Sequence, residues 1–180
     1  IYLYTEIMKH LLIIFSLLTT VGWSKDSEYN NLVERDGLLY EKFTDVPFTG
    51  KSVGIRQGKI KKGKREGEWF LYFGNGNLLS NYNYKDGKKD GEWLEYHENG
   101  QLKIKRNYKN GKLEGESLWY HKNGQLESKG NFKDDEKEGE WLHYRSDGKL
   151  WRKYYYKEGK KDGKWTWYDT YGNIVKTELY

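Results

Sequence analysis

Polar and apolar residues alternate along short runs of this chain, and the alternation predicts β-strands. In LLSNYNYK (78–85) the even-numbered positions carry Leu, Ser, Tyr and Tyr, whereas the odd-numbered positions are mostly polar. LESKGNFK (126–133) divides in the same way. Because side chains alternate between the two faces of a sheet, and an antiparallel sheet tolerates one hydrated face, each run fits a half-buried strand.

The strand that precedes each of these runs is less regular. In EWLEYH (92–97) Leu94 and Tyr96 share one face by period two, and Trp93 points to the other. Either both faces of this strand are partly covered, or a β-bulge turns the tryptophan inward. The pattern leaves both interpretations open.

The runs recur every 24 residues, which identifies a tandem repeat. Six columns of identical or similar residues hold across five copies without a gap, and Ser117 is the exception in the tryptophan column. Three of the columns are Gly67, Gly91, Gly115, Gly139 and Gly163; Trp69, Trp93, Trp141 and Trp165; and Tyr72, Tyr96, Tyr120, Tyr144 and Tyr168.

Two kinds of turn join the runs. Glycine-rich segments such as KDGKKDG (85–91) predict a loose connection. Asn-Gly and Asp-Gly pairs predict tight two-residue hairpin turns, because both residues of such a turn adopt positive φ. The fifth pair, Tyr171-Gly172, lacks the Asn and should be the least well formed. The other four tight turns are predicted at 75–76, 99–100, 123–124 and 147–148.

The fold class that follows is all-β: an elongated antiparallel meander of stacked β-hairpin repeats in a single domain. Residues 61–180 hold five hairpin repeats of 24 residues, with two strands in each. Residues 25–60 are interpreted as a lead-in and a degenerate repeat that caps the array, because the exposed edge of a repeat array needs covering.

Residues 1–24 have the composition of a targeting segment. MKHLLIIFSLLTTVGWSKD begins at Met8 and places a basic Lys9-His10 before an apolar stretch and small residues, which is typical of a secretory signal peptide. Residues 1–7 are interpreted as upstream of the natural start. We therefore expect an exported protein, periplasmic or secreted, with an uncleaved membrane anchor as the alternative.

The composition indicates that aromatic side chains form most of the core. Charged residues make up 33% of the chain, yet 17% are aromatic, with eight Trp and seventeen Tyr. Large rings bury much surface each, so we expect stacked hairpins to share one continuous aromatic seam. The net charge of +5 comes from 32 basic and 27 acidic residues that are interleaved, which does not favour nucleic-acid binding. Disulfides and thiolate chemistry are excluded because cysteine is absent from the sequence.

The repeated text resembles the MORN repeat, in the bacterial variant catalogued as the antitoxin of a toxin–antitoxin pair. The matching segments are GEWFLYFGNGNL, GEWLEYHENGQL and GEWLHYRSDGKL, and the lead-in RDGLLYEKFTDVPFTGK is also similar. The resemblance covers about residues 36–180. It implies an elongated hairpin array that contacts proteins, with lipid or membrane association in some members.

Polar columns offer little for chemistry. His97 and His121 are equivalent positions two strands apart, about 9.6 Å, which is too far for a shared metal ion. They are interpreted as solvated strand histidines. The acidic column that includes Glu66 and Asp90 is interpreted as a charge-balanced ridge of turns. We expect no catalytic residues, metal or cofactor, and hence no enzyme and no small-molecule substrate.

The candidate interaction surface combines tryptophans with lysines. Exposed rings would favour protein contacts or cation–π binding of choline-like groups, and the alternative is that they pack between strands. The first hypothesis is an exported scaffold that binds a protein through its sheet. The second is a membrane- or wall-surface binder, and the third is an antitoxin or immunity protein that neutralises a toxin. The residues are Trp69, Trp93, Trp119, Trp141, Trp165, Trp167, Lys85, Lys109, Lys133 and Lys157.

Overall fold

A computed structural model describes residues 25–180, so the proposed signal peptide lies outside the described residues. The described part is built from sixteen strands and a single-turn 3-10 helix, Tyr29–Asn31, and contains no helix long and apolar enough to span a bilayer. The strands are β1 Lys25–Glu28, β2 Leu32–Arg35, β3 Leu38–Glu41, β4 Gly50–Val53, β5 Arg56–Lys61, β6 Lys64–Tyr72, β7 Leu78–Lys85, β8 Lys88–Tyr96, β9 Leu102–Lys109, β10 Lys112–Leu113, β11 Gly115–Tyr120, β12 Leu126–Lys133, β13 Glu136–Tyr144, β14 Leu150–Lys157, β15 Lys160–Tyr168 and β16 Ile174–Leu179.

The predicted antiparallel meander is confirmed. From β4 to β16 each strand pairs with the next in sequence, except that β10 and β11 together fill one strand position beside β9. Residues 64–179 therefore supply ten strand positions, two for each repeat. At the other end β1 pairs in parallel with β4, and β2 and β3 form a separate hairpin.

The two kinds of turn are assigned the wrong way round by the sequence. The two-residue turn is Asp86-Gly87, where both residues have positive φ, 51° and 82°, and Lys85 pairs with Lys88. At Asn75-Gly76 only the glycine has positive φ. There the Phe73 N–H donates to the Asn77 carbonyl and the Gly76 N–H donates to the Phe73 carbonyl, which closes a three-residue loop ending in a left-handed glycine.

The fifth loop is the least well closed, as predicted. The Gly172 N–H lies 3.4 Å from the Asp169 carbonyl, against 2.9 Å in the equivalent bond of the four other loops. Asp169 itself accepts from the Tyr171 and Asn173 N–H groups through Oδ1. The carboxylate therefore compensates in part for the missing Asn.

A bulge turns the tryptophan column inward, which decides between the two interpretations of EWLEYH. Between β7 and β8 the register passes from Tyr84 opposite Lys89 to Tyr82 opposite Trp93, so β8 holds two extra residues. Gly91, in the bulge, has a φ of +100°. Glycine recurs at this position in every repeat because the backbone there adopts a conformation that favours glycine.

Acidic side chains join successive repeats on the tight-turn side. Glu66 Oε1 accepts from the Asp86 N–H at 3.1 Å, and Asp90 Oδ2 accepts from the Asn110 N–H at 3.0 Å. Glu114 and Glu138 do the same for the next two turns. These carboxylates satisfy backbone donors of the following repeat, a more specific role than the predicted ridge of balanced charge.

Side chains of the three-residue loops join the repeats on the opposite side. Asn99 accepts from the Gln101 N–H through Oδ1 and donates from Nδ2 to the Lys122 carbonyl, 2.9 Å away in the next repeat. His97 Nε2 donates to the Tyr120 carbonyl at 2.9 Å. His121 does the same toward the Tyr144 carbonyl, so the interpretation of both histidines as merely solvated is wrong.

Replacing Asn99 by Asp is expected to destabilise the protein by about 1 kcal/mol, because the cross-repeat donor is lost while the local acceptor remains. Urea denaturation measures the change. Asn75→Asp is the matched control. Asn75 accepts from the Asn77 N–H, and within residues 25–180 its amide nitrogen donates no hydrogen bond. A control that loses as much stability as Asn99→Asp would contradict the cross-repeat role.

The N-terminal residues cover one end of the aromatic face. Leu32, Leu39 and Phe48 pack with Ile60 and Trp69 in one buried cluster. Backbone bonds tie this cap to the first tight turn, since the Leu39 N–H donates to the Gly63 carbonyl and the Gly63 N–H donates to the Phe48 carbonyl. The cap thus supplies the burial that the first hairpin lacks on this side.

The predicted continuous aromatic seam is divided into two clusters. One runs from Tyr29 and Trp69 to Trp93 and Tyr108, and the other begins at Trp119. Within residues 25–180, no ring pair joins Tyr108 to Trp119. The division falls where Ser117 replaces the tryptophan and where β10 and β11 interrupt the strand.

Candidate interaction surface

The aromatic face is the face of the sheet that carries the Trp column, and the structure buries half of the candidate tryptophans there. Trp69, Trp141 and Trp165 are 1%, 2% and 7% exposed, so these three rings pack between strands, the alternative interpretation of the column, and are not available to a partner. The other three are half-buried: Trp93, Trp119 and Trp167.

The residue eleven positions earlier decides how each column tryptophan lies. A methyl group at Gly130 would come within 2.2 Å of Trp141 Cδ2, and the same holds for Gly58 and Trp69, so both rings lie flat on glycine backbone. Where that position is tyrosine the rings stack, as Tyr82 does on Trp93 with centroids 4.5 Å apart. The 24-residue spacing already aligns the two columns, so this pairing of positions was a signal present in the sequence.

Basic side chains lie over the rings of the column. Lys89 Nζ is 3.9 Å from the Trp93 centroid, and Lys137 Nζ is 4.2 Å from that of Trp141. Such contacts stabilise the ammonium on the ring quadrupole. Because the ring faces already hold cations of the chain itself, they are poorly suited to choline-like ligands. We call this set the cation row: Arg65, Lys89, Lys137 and Lys161.

The two faces of the sheet handle charge differently. On the opposite face, Lys105 pairs with Glu92 at 2.6 Å and Lys153 pairs with Glu140. Within the described part of the chain, by contrast, no carboxylate forms an ion pair with Lys89 or Lys137. Lys89 and Lys137 therefore place positive charge on the aromatic face that no ion pair neutralises, whereas Arg65 of the same row pairs with Glu34 at 3.1 Å.

The pKa shifts on the aromatic face follow from this arrangement. Burial lowers the pKa of Lys137, because its ammonium has lost part of its hydration. Burial also lowers the pKa of His143, and the positive charges of Lys137 and Arg152 lower it further. Burial first, and the neighbouring cations second, therefore favour the neutral form of the His143 imidazole.

The candidate lysines lie apart from the tryptophans. Lys85 and Lys109 are exposed beside the two-residue turns, opposite Lys88 and Lys112. They belong to the tight-turn edge and not to the aromatic face, so the structure does not bring the two parts of the predicted surface together. We call the set the turn lysines: Lys85, Lys109, Lys133 and Lys157.

The described residues offer little that suggests a reaction centre. A cavity of about 670 Å³ lies between the cap and the first hairpins, lined by residues that include Tyr29, Leu32, Ile55, Arg56 and Leu71. In residues 25–180 no three His, Asp or Glu side chains are grouped as metal ligands. The candidate site in residues 25–180 is therefore sought on the faces and edges of the sheet.

The fold and this surface define the class of the protein, a hairpin-repeat array built as one sheet. The family model described as the MORN repeat variant matches residues 65–86, 89–110, 113–134 and 137–158. These segments begin 24 residues apart and each contains one three-residue loop, so residues 65–158 carry four repeats of the MORN variant family.

Two further comparisons add no functional argument. The sequence matches none of the curated proteins. Among solved structures, a GtfA/B complex bound to UDP and GlcNAc is similar over 88% of this chain and 27% of its own, at 9% identity and a TM-score of 0.27. The chain thus spans about a quarter of that structure, and a likeness of this size carries no inference.

Proposed function

We propose that this protein is an exported, non-enzymatic scaffold whose aromatic face binds an acidic surface of a protein partner. The observation that carries the proposal is that Lys89, Lys137 and Lys161 of the cation row form no ion pair within residues 25–180, whereas Arg65 pairs with Glu34. MORN repeats are commonly modules that bind proteins or membranes, which agrees with this role. Tryptophan, tyrosine and arginine, which this face also carries, are enriched at protein interfaces.

The shape of the face favours a protein over a flat surface. Arg65, Lys89 and Lys137 lie over aromatic rings and are themselves half-buried, so protruding side chains reach them more readily than a planar array of headgroups. Equivalent positions repeat about every 9.6 Å, two strand spacings, along the array. An extended or loop-rich acidic segment can follow that spacing.

The turn lysines support a second candidate, binding to a membrane or cell-wall surface. They project from one edge of the sheet and are exposed, which suits a planar anionic surface. An antitoxin or immunity role is a special case of the first proposal, in which the acidic protein partner is a toxin.

Matched charge variants distinguish the two candidates. The variant Lys89→Gln/Lys137→Gln/Lys161→Gln removes three charges of the cation row, and Lys85→Gln/Lys109→Gln/Lys157→Gln removes three at the turns. Capture of partners from host extract is compared for both variants and the unchanged protein, followed by affinity measurement with the captured protein. We expect the cation-row variant to bind about tenfold more weakly or worse, and the turn variant to bind nearly normally.

The opposite pattern identifies the second candidate. In that case the turn variant loses co-sedimentation with anionic vesicles or wall fragments at low salt, because exposed charges act through screened electrostatics. Equal binding by all three proteins would contradict the role of the aromatic face.

A further inference from the structure

The third repeat differs from the others at three linked positions. Ser117 stands where the other repeats have tryptophan, and Leu113 stands where they have a member of the cation row. Arg106 occupies the column that holds glycine or tyrosine at Gly58, Tyr82, Gly130 and Tyr154. In this repeat the tryptophan and the cation of the row are both absent, and an arginine stands near the middle of the aromatic face instead.

Arg106 lies between two half-buried tryptophans. It is the register partner of Trp93 on β8, and its Cζ is 5.2 Å from the ring centroid of Trp119. By the register of β9 and β11 it stands opposite Ser117, which is only 1% exposed. The arginine therefore fills the place from which the third tryptophan is missing, at the boundary between the two aromatic clusters.

Beyond its contact with the Trp119 ring, the guanidinium makes no hydrogen bond and no ion pair within the described residues. Its Nε is buried and makes no hydrogen bond there, and the neighbouring Ser117 Oγ is also buried without one. Glu95, on the same face, accepts from Trp93 Nε1 at 3.1 Å and does not pair with Arg106. A planar group with five donors is thus held in a half-buried position with its hydrogen-bonding capacity unused.

We propose that Arg106 is the anchor that receives a carboxylate of the partner, with Trp93 and Trp119 packing on either side of the entering side chain. The inference rests on the proposed function and names the centre of that interface. Arginine matches a carboxylate with two parallel N–H···O bonds. Arginine and tryptophan near the middle of a contact, surrounded by groups that exclude water, are the residues on which binding energy concentrates.

A protein carboxylate fits this position better than a lipid phosphate. Arg106 is half-buried, so the ligand group must project from its own backbone to reach the guanidinium. A bilayer surface would meet the exposed turn lysines before it reached a half-buried arginine. The partner is therefore an acidic protein segment that presents Asp or Glu beside apolar residues.

The first test uses a defined probe and needs no identified partner. The tripeptide acetyl-Phe-Glu-Phe-amide and its Gln counterpart are titrated into the full chain, and the Arg106 Nε–H resonance is followed by NMR. We expect the Glu peptide to shift this resonance and the Gln peptide to leave it nearly unchanged. Equal shifts by both peptides, or a shift produced only by anionic phospholipid vesicles, would overturn carboxylate recognition.

Variants then measure the contribution of the anchor. Arg106→Met keeps the apolar stem over Ser117 and should weaken binding of the Glu peptide and of the captured partner by about thirtyfold, the loss typical of an interface anchor. Arg106→Lys retains the charge without the planar fork and should recover only part of the affinity. The control is Lys103→Gln, which removes an exposed positive charge three residues earlier on β9 and should bind normally.

These outcomes separate the anchor from the proposed function. If the cation-row variant loses the partner while a folded Arg106→Met protein binds normally, the anchor is wrong and the scaffold role stands. If neither variant changes binding, the role of the whole face fails. Near-ultraviolet circular dichroism of the tryptophans shows whether each variant is folded, and Arg106→Lys provides the comparison if Arg106→Met is not.

Discussion

Replacing Trp69 by alanine is expected to lower the free energy of unfolding by about 3–5 kcal/mol, the largest effect of any single substitution considered for this protein. The indole is 1% exposed, lies on the backbone of Gly58 and contacts the edges of Tyr29 and Tyr84. Its loss leaves a cavity between the cap and the first hairpin. Backbone hydrogen bonds hold these two parts in place, so the surrounding side chains cannot move in to fill it. Urea denaturation followed by tyrosine and tryptophan fluorescence measures the change.

Trp93→Ala is the matched comparison for Trp69→Ala. Trp93 occupies the same column one repeat later, but it is half-buried and only packs against the buried cluster that the cap residues form with Trp69. We expect about half of the destabilisation, because less surface returns to water when the ring is removed. Equal losses for the two variants would show that the cap contributes little to the burial of Trp69.

Replacing Gly130 by alanine is expected to destabilise the protein by about 2–3 kcal/mol through overpacking. The added methyl would meet Trp141 Cδ2 at 2.2 Å and Cε2 at 2.3 Å, distances that require the indole to leave its position. Trp141 also packs against Trp119 and Phe132, so the displacement spreads into the second aromatic cluster. Thermal and urea unfolding both report the loss.

Two controls assign this effect to the indole. At Gly74 no atom lies within 4 Å of an added methyl and φ is not positive, so Gly74→Ala should change stability little. In a Trp141→Ala background, Gly130→Ala should also cost little, because the clashing ring is gone. A full loss in that background would point to the backbone conformation of Gly130 and away from packing.

Much of the fold could be predicted from the sequence because the determining signals are local and repeated. The alternation in residues 78–85, read together with the 24-residue period, correctly indicates which strand face is buried and that hairpins pair in order. The tryptophan column breaks that alternation. Only the structure shows that the bulge at Gly91 restores Trp93 to the buried face.

The turn assignment failed because Asn-Gly serves two loop types. In a two-residue turn the Asn would adopt positive φ, whereas in the three-residue loops of this protein it caps the next N–H and reaches a carbonyl of the following repeat. Asp-Gly at 86–87 carries the same positive-φ signal and was overlooked within the longer glycine-rich segment. Local composition does not distinguish the two loop types, because the length of each loop depends on which residues form the first strand pair beside it.

The candidate site was predicted in outline only. The sequence marks the tryptophans as important, but exposure depends on partners eleven residues earlier and on the cap, which single columns do not reveal. Arg106 was missed for the same reason, although it stands out once the column Gly58, Tyr82, Arg106, Gly130, Tyr154 is aligned. The lysines at the turns were correctly expected to be exposed, and their separation from the rings follows from the pairing alone.

The bonds between repeats have an evolutionary consequence. Asn99, His97, Glu66 and Asp90 all reach backbone atoms of the following unit, and every residue type except proline at an N–H position presents the same backbone atoms. A unit copied or deleted by recombination within the gene would therefore find compatible neighbours on both sides. A change in the number of units would therefore preserve these bonds while lengthening or shortening the sheet.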